Sequence, residues 1–279
     1  EHCREAQVII TPGELSREVM ASCPQLQIVG VARGDARGVN ADYARERGIK
    51  IVDAAGRNAV AVAELTIGMM ITLSRRLCQA EQFVRAGKFN SWDALFATEL
   101  INGWELAGKN LGLIGMGIIG KEVARRAQAF DLSVVAFDPF VPEKEMWNYG
   151  VTASDLEGLL TKSDIVSIHC NLSPDTDGLL GKKELALLHP GAILVNTARA
   201  GIIDQEAFLD MMQEERIAGA AIDVYWEEPL PLDSPLLGLP NLLMTPHIGG
   251  STVEVEQRTG VLVVTRVLAE LPSHDSSLE

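Results

Sequence analysis

Leu111-Gly112-Leu113-Ile114-Gly115-Met116-Gly117-Ile118-Ile119-Gly120, continued by a polar run to Phe130 and by Val134-Val135-Ala136-Phe137-Asp138, is the stretch that decides the fold. Its first four residues are an apolar strand, and the turn after them carries glycine at 115, 117 and 120. Beyond the turn, Val123, Ala127 and Phe130 recur on one helical face, with Lys121, Glu122, Arg125 and Arg126 around them. The first glycine permits a tight strand-to-helix turn. The second lets backbone approach a pyrophosphate, and the third lets helix and strand pack closely. A pyrophosphate then rests on the free N–H groups of the helix N-terminus. Asp138, the acid about 20 positions on, suits a ribose hydroxyl and repels a 2′-phosphate, which points to NAD rather than NADP. A glycine-rich turn alone is weak, but here strand, helix and acid agree. The stretch predicts a Rossmann unit.

Outward from that unit, 279 residues are about right for two domains, and 47% hydrophobic content supplies two cores. A formal net charge of −14 disfavours nucleic acid and anionic membrane as partners. The longest apolar stretch, around Ala59 to Leu73, carries Glu64 and is too short to span a bilayer. Cys3, Cys23, Cys78 and Cys170 lie far apart with no metal-type spacing, which reads as reduced thiols of a cytoplasmic protein without a metal centre.

Upstream, Val8 to Ile10, Leu26 to Val31 and Ile49 to Val52 are short strand patterns separated by helical ones, and such alternation implies a parallel sheet. Val60 to about Ala86 predicts one long helix, apolar almost all round in its first half and therefore buried as a spine between domains. Gly87 to Gly108, with Trp92 and Trp104, reads as an arm that packs on something, such as a partner subunit. Downstream, Ser154 and Glu157 form a capping box, Asp204 caps a helix striped by Ala207, Phe208, Met211 and Met212, and a last helix opens with Ser251 and Glu254 and ends at Pro272. Strands end at His169, at Asn196-Thr197-Ala198-Arg199, at Asp223 and at Pro246-His247. Carboxyl ends of strands are where an open parallel sheet places its ligands.

Arg199, Glu228 and His247 follow successive strands, so a doubly wound sheet gathers them. Reduction of a 2-oxo acid needs a cation for the carboxylate, a proton donor working near neutral pH and a group that keeps the donor charged. Arginine offers a planar fork, histidine titrates in the right range, and a nearby carboxylate favours imidazolium. Taken singly, each has a bland alternative: a surface ion pair for Arg199, a solvated turn for Glu228 beside Pro229, a hydrogen-bonded core histidine for His247. Their joint placement favours chemistry.

Several blocks resemble the NAD-dependent D-isomer-specific 2-hydroxyacid dehydrogenases, which include phosphoglycerate dehydrogenases and glyoxylate/hydroxypyruvate reductases. The blocks are Gly115 to Gly120, Asp138, Asn196 to Gly201, Asp223-Val224-Tyr225-Trp226-Glu227-Glu228-Pro229, and Thr245-Pro246-His247-Ile248-Gly249-Gly250. The resemblance implies that His247 is the acid/base, Glu228 its partner and Arg199 the substrate anchor. It further implies that Asp223 and the backbone after His247, through Gly249 and Gly250, hold the nicotinamide carboxamide. Gly115, Gly117, Ile118, Ile119 and Gly120 then cover the pyrophosphate, and His169, Cys170 and Thr197 line the adenine side. The sequence departs from the family's pattern where Arg33 to Gly38 replaces a Gly-Val-Gly-type loop, where Ala200-Gly201 replaces Gly-Gly, and where Asn171 replaces a common proline. Members also begin earlier, with a further strand and helix, so the resemblance implies a chain truncated at its N-terminus that binds NADH but turns over poorly.

The expected architecture is α/β: a Rossmann doubly wound parallel sheet over 86–250, a smaller flavodoxin-like α/β substrate domain over 1–85, incomplete at its N-terminus, and a C-terminal helix over 251–279 returning to it. Arg33, Gly34, Arg37, Arg57 and Asn58, from two loops of the small domain, are expected to face the crevice with Arg199 and to bind a 2-hydroxy acid whose second end is anionic, such as a phosphate. The resemblance suggests a homodimer. The rival expectation is an NAD(H)-sensing, protein-binding module of the same fold.

Overall fold

The computed structural model describes residues 3–271. They fall into two compact units, one built from the chain up to Asn58 and from Gly250 onward, the other from Ala59–Gly249.

The smaller unit has three parallel strands in sequence order: β1 (Val8–Thr11), β2 (Ile28–Val31) and β3 (Lys50–Asp53). Helix α1 (Arg17–Ala21) is capped by Ser16, whose side chain accepts from Val19 N–H, and α2 (Ala41–Glu46) by Asn40, which accepts from Tyr43 N–H. These caps satisfy donors that short helices leave unpaired. Every residue of β2 is buried, as a central strand covered on both faces requires. One face packs Val29 and Val31 with Met20, Cys23, Leu26 and Ile49, while Ile28 packs with Val263 and Val267 of the C-terminal helix. Gly30 is needed for that second contact, since a Cβ there would lie 3.0 Å from both valines.

The larger unit opens with α3 (Ala59–Ser74), α4 (Leu77–Arg85) and α5 (Trp92–Phe96). The Rossmann alternation follows: β4 (Asn110–Ile114), α6 (Ile118–Gln128), β5 (Ser133–Phe137), α7 (Glu143–Asn148), β6 (Thr152–Ala153), α8 (Leu156–Lys162), β7 (Ile165–Ile168), α9 (Lys182–Leu185), β8 (Ile193–Asn196), α10 (Gln205–Gln213), β9 (Gly219–Ile222) and β10 (Leu242–Met244). Its strands lie in the order β10-β9-β8-β7-β4-β5-β6, all parallel. The direction of winding reverses between β4 and β7, the switch point at which such sheets bind ligands. Two cores sandwich the sheet. In the second, Phe208 is fully buried against Trp226, with ring centroids 5.5 Å apart; removing such a ring from water is worth about 1.5–3 kcal/mol. The helix α11 (Val253–Glu270) then rejoins the smaller unit.

Several expectations are corrected. The boundary between units falls at 58/59 and not at 85/86, and again at 249/250. The cause is α3, which packs on α6, β8 and β9 and is therefore core of the larger unit rather than a spine between domains. The single helix expected from Val60 to Ala86 is two helices, interrupted at Arg76, whose φ is +52°. Asp155, not Ser154, caps α8, accepting from Gly158 N–H, because it stands three residues before that donor. Likewise Thr252 rather than Ser251 caps α11, which ends at Glu270; Pro272 lies outside the described residues. Asp204 caps α10 as the sequence indicates. Among the described residues no helix is long and apolar enough to cross a membrane.

Candidate active site

The glycine turn is shaped by what lies beneath it. Gly115 has φ +100°, and a Cβ there would come within 2.5 Å of Cys170 N and 2.7 Å of His169 C. A Cβ on Gly120 would meet Gly115 O at 2.3 Å. Both glycines are thus demanded by packing. Gly117 differs, with nothing within 4 Å of its Cβ position. It is the N-cap of α6 and offers no side chain to the helix's free N–H groups, while Ile118 is more than half exposed and Ile119 packs on the core. Open space in front of uncapped amides is what a pyrophosphate requires. Asp138 stands at the end of β5 with both oxygens engaged: Met116 N–H donates to Oδ2 at 2.8 Å and Phe140 N–H to Oδ1 at 2.9 Å. An oriented carboxylate at this point suits the ribose of a dinucleotide, and these residues therefore fit the NAD that the sequence implies.

His169 and Cys170 lie beneath the turn, and Thr197 follows β8. The His169 ring is buried, its Nε2 is 2.9 Å from Ser167 Oγ, and its Nδ1 has no partner. Burial pushes the ring down to a pKa of about 3, so it is neutral. Burial likewise pushes the half-buried Cys170 thiol up to about 11. The Thr197 hydroxyl is 3.1 Å from that of Thr66, which donates to Val62 O.

Arg199, Asp223 with Glu228, and His247 follow β8, β9 and β10, neighbouring strands whose carboxyl ends lie side by side. His247 Nδ1 is 2.7 Å from Glu228 Oε2, and Tyr225 N–H donates to Glu228 Oε1 at 3.0 Å. Burial acts to raise the Glu228 carboxyl. The bonds from His247 and Tyr225 and the charges of His247 and Arg199 outweigh it, and the carboxyl lies below its usual range. Arg199 follows a loop fixed by Asn196, which accepts from Ala198 N–H and donates to Arg199 O. Its Nη1 donates to Ala198 O at 2.6 Å, and its charge reaches Glu228.

Asp223 plays a part that the sequence did not disclose. It is buried and accepts from Thr245 Oγ1 at 2.5 Å, Ile248 N–H at 2.9 Å and Gly249 N–H at 2.7 Å. Tyr225 donates its hydroxyl to Thr245 O. This frame holds His247 at φ +55°, a left-handed conformation that a histidine adopts only when its surroundings impose it. The bonds span 20–26 positions, and the only local signal was the position of Asp223 at a strand end.

The remaining candidates, Arg33, Gly34, Arg37, Arg57, Asn58 and Gly250, belong to the smaller unit. Ala54 N–H donates to Arg33 O, which ties together the loops after β2 and β3. The Arg33 side chain runs beside Gly13, where a Cβ would meet it at 3.1 Å. Arg37 forms a bidentate pair with Asp35 and is largely exposed. Arg57 donates through Nη1 to Thr259 Oγ1, while its buried Nε has no partner. Burial and the neighbouring charge of Arg33 lower its pKa, against Asp35. The Asn58 amide lies against Gly250, and nothing lies within 4 Å of a Cβ on Gly34.

Residues 67–249 match the family model described as "D-isomer specific 2-hydroxyacid dehydrogenase, NAD binding domain". The D-3-phosphoglycerate dehydrogenase of Methanocaldococcus jannaschii is 35% identical over 270 residues, covering 96% of this chain and 50% of that protein. The hydroxypyruvate reductase of Thermotoga maritima is 35% identical over 267 residues, 95% of this chain and 84% of that one. The chain thus spans about half the length of the phosphoglycerate dehydrogenases it matches. Among solved structures, the TT0316 protein from Thermus thermophilus superposes with a TM-score of 0.78 at 34% identity, covering 94% of this chain and 82% of that one. With about two thirds of its length matched by that family model and the glycine turn, Asp138 and the His247–Glu228 pair in place, the chain belongs to the D-isomer specific 2-hydroxyacid dehydrogenase family.

Proposed function

We propose that this chain interconverts a small 2-oxo acid and its 2-hydroxy acid with NAD(H). The observation that carries the proposal is the His247–Glu228 contact of 2.7 Å, with Glu228 held below its usual pKa and Arg199 close enough to act on it. With Nδ1 committed to Glu228, the Nε2 atom of His247 is the one left for substrate. In reduction the imidazolium donates a proton from Nε2 to the carbonyl oxygen, and in oxidation the neutral ring accepts it from the hydroxyl. Glu228 stabilises the protonated ring and fixes its orientation. Arg199 presents a planar donor fork to the substrate carboxylate. NADH, when bound, supplies the hydride. Asp223 keeps the backbone around His247 in one conformation, so the donor needs no rearrangement to act.

The reading assigns Gly115, Gly117, Ile118, Ile119, Gly120, Asp138, His169, Cys170, Thr197, Asp223, Gly249 and Gly250 to the cofactor. It assigns Arg33, Gly34, Arg57 and Asn58, with Arg199, to a substrate whose second end is anionic, phosphorylated substrates included. Arg37 enters more weakly because its guanidinium is spent on Asp35. The names of the relatives support this substrate class. The partner is a second copy: α4 and α5 bury no residue, and Leu77, Val84, Phe89, Trp92, Phe96 and Ile101 stand about half exposed or more. Four free cysteines suit a reducing compartment, the cytoplasm.

The test is NADH oxidation across a panel of 2-oxo acids with and without a phosphate or second carboxylate, with molar mass measured by light scattering. Turnover of at least one acid by a dimer is the expected result. NADH binding without turnover of any acid would favour the sensing module, and a monomeric mass would remove the homodimer.

A further inference from the structure

Lys121 lies on α6, one residue beyond the third glycine of the turn, and no step proposed above uses it. Its Nζ is 2.5 Å from Glu145 Oε1 on α7 and 5.1 Å from the centre of the Tyr149 ring. The Lys121 side chain is about three-quarters buried. Its pKa is raised, chiefly by the bond to Glu145; burial opposes this, and the lesser effects of the charges of Glu145, Tyr149 and Asp138 add to the rise. Lys121 stands in the first turn of α6, five residues after Met116, whose N–H donates to Asp138 Oδ2, so the same turn carries the cation and holds the carboxylate. The sequence showed no basic residue after Asp138, and the fold supplies one from 17 positions before it, in α6.

That placement matters for which dinucleotide binds. Asp138 has both oxygens held by backbone N–H groups, so it cannot swing aside for a bulkier ligand. Its discrimination against a phosphate on the ribose rests on like charge, and charge is what a neighbouring ammonium offsets. Lysine serves phosphate as a mobile point charge, provided the ammonium is available. Here Glu145 binds it and adds a second negative charge to the same surface. Specificity is a difference of two affinities, and a group that withholds a contact from the wrong ligand contributes to it as much as one that greets the right ligand.

We propose that Glu145 is a cofactor-selectivity residue: by sequestering Lys121 it denies a 2′-phosphorylated dinucleotide the cation that Asp138 alone does not exclude. The proposal rests on the cofactor reading above. It assigns Glu145 and Lys121 no contact with NADH and no part in hydride or proton transfer.

The test is equilibrium binding of NADH and NADPH, followed by nucleotide fluorescence, for the unaltered chain, Glu145→Gln, Lys121→Met and the double variant, each checked for folding by circular dichroism. Glu145→Gln should tighten NADPH about 5–10-fold with NADH changed less than twofold, and the gain should shrink as salt rises. Lys121→Met in the same background should abolish the gain. The proposal is overturned if Glu145→Gln leaves NADPH affinity within twofold, if both nucleotides gain equally, or if the gain survives loss of Lys121, since that would be charge removal alone. Failure of the unaltered chain to bind NADH would overturn the cofactor reading and this proposal with it.

Discussion

The turn that carries His247 and the loop that carries Arg33 both follow parallel strands, one in each unit, yet they are built in opposite ways. Around His247 the backbone is fixed from outside: Asp223 takes the N–H groups of Ile248 and Gly249, and Thr245 ties Asp223 to Tyr225. Around Arg33 the side-chain bonds are local, with Arg37 closed on Asp35. The first arrangement keeps His247 in one geometry, as the proposed proton transfer demands. The second leaves a cation adjustable, which suits recognition of a distal substrate group. His247 is framed by long-range bonds, and Arg37 by a short-range exposed one.

The largest expected effect breaks the framed side. His247→Ala should lose on the order of 10²–10⁴ in kcat while NADH binds unchanged, read from steady-state rates beside a binding titration. Next comes the frame itself. Asp223→Asn places an amide against two backbone donors and should cost on the order of 1–3 kcal/mol in denaturant unfolding, with kcat reduced as His247 loses its fixed position.

Glu228→Gln should retain fold and NADH affinity but move the reductive limb of the pH–rate profile to lower pH. The sign follows from the lowered Glu228 pKa. The pair contributes stability above the unfolded carboxyl value and loses it as pH falls through the depressed folded value. In the unaltered chain the ionised partner therefore persists through the usual carboxylate range. A profile identical in both proteins would mean that Glu228 does not govern the donor.

The smallest effects come from the adjustable side. Arg33→Ala should lower kcat/KM about tenfold for substrates with a second anionic end and leave simple 2-oxo acids within about twofold. Arg37→Ala should change neither by more than about twofold, because its guanidinium is already held by Asp35. Equal losses for the two variants would erase the distinction between them.

Much of this is legible in the sequence. The glycine turn, Asp138 and the strand ends at His169, Arg199, Asp223 and His247 were readable because glycine spacing and apolar runs are local signals. The roles of Asp223 and Lys121 were not, since each depends on partners about 20–26 positions away, brought together only by the parallel sheet. The break at Arg76 was hidden for a different reason: no glycine or proline marks it. The domain boundary was misplaced because an all-apolar helix says that it is buried without saying in which unit. The caps at Asp155 and Thr252 slipped by one residue because adjacent positions held two competent side chains.

His169 has a consequence for how the molecule meets acid. Its ring is buried and neutral down to about pH 3, whereas the same residue in an unfolded chain protonates near pH 6.5. Between those values every unit of falling pH favours the unfolded chain, because only that state takes up the proton. The accumulated penalty approaches about 4 kcal/mol at the acid end, a large fraction of a typical domain's stability. The floor of the glycine turn is thus a proton-linked weak point, and falling pH should destabilise it. Melting temperature should fall from pH 7 to pH 4.5 more steeply in the unaltered chain than in His169→Gln.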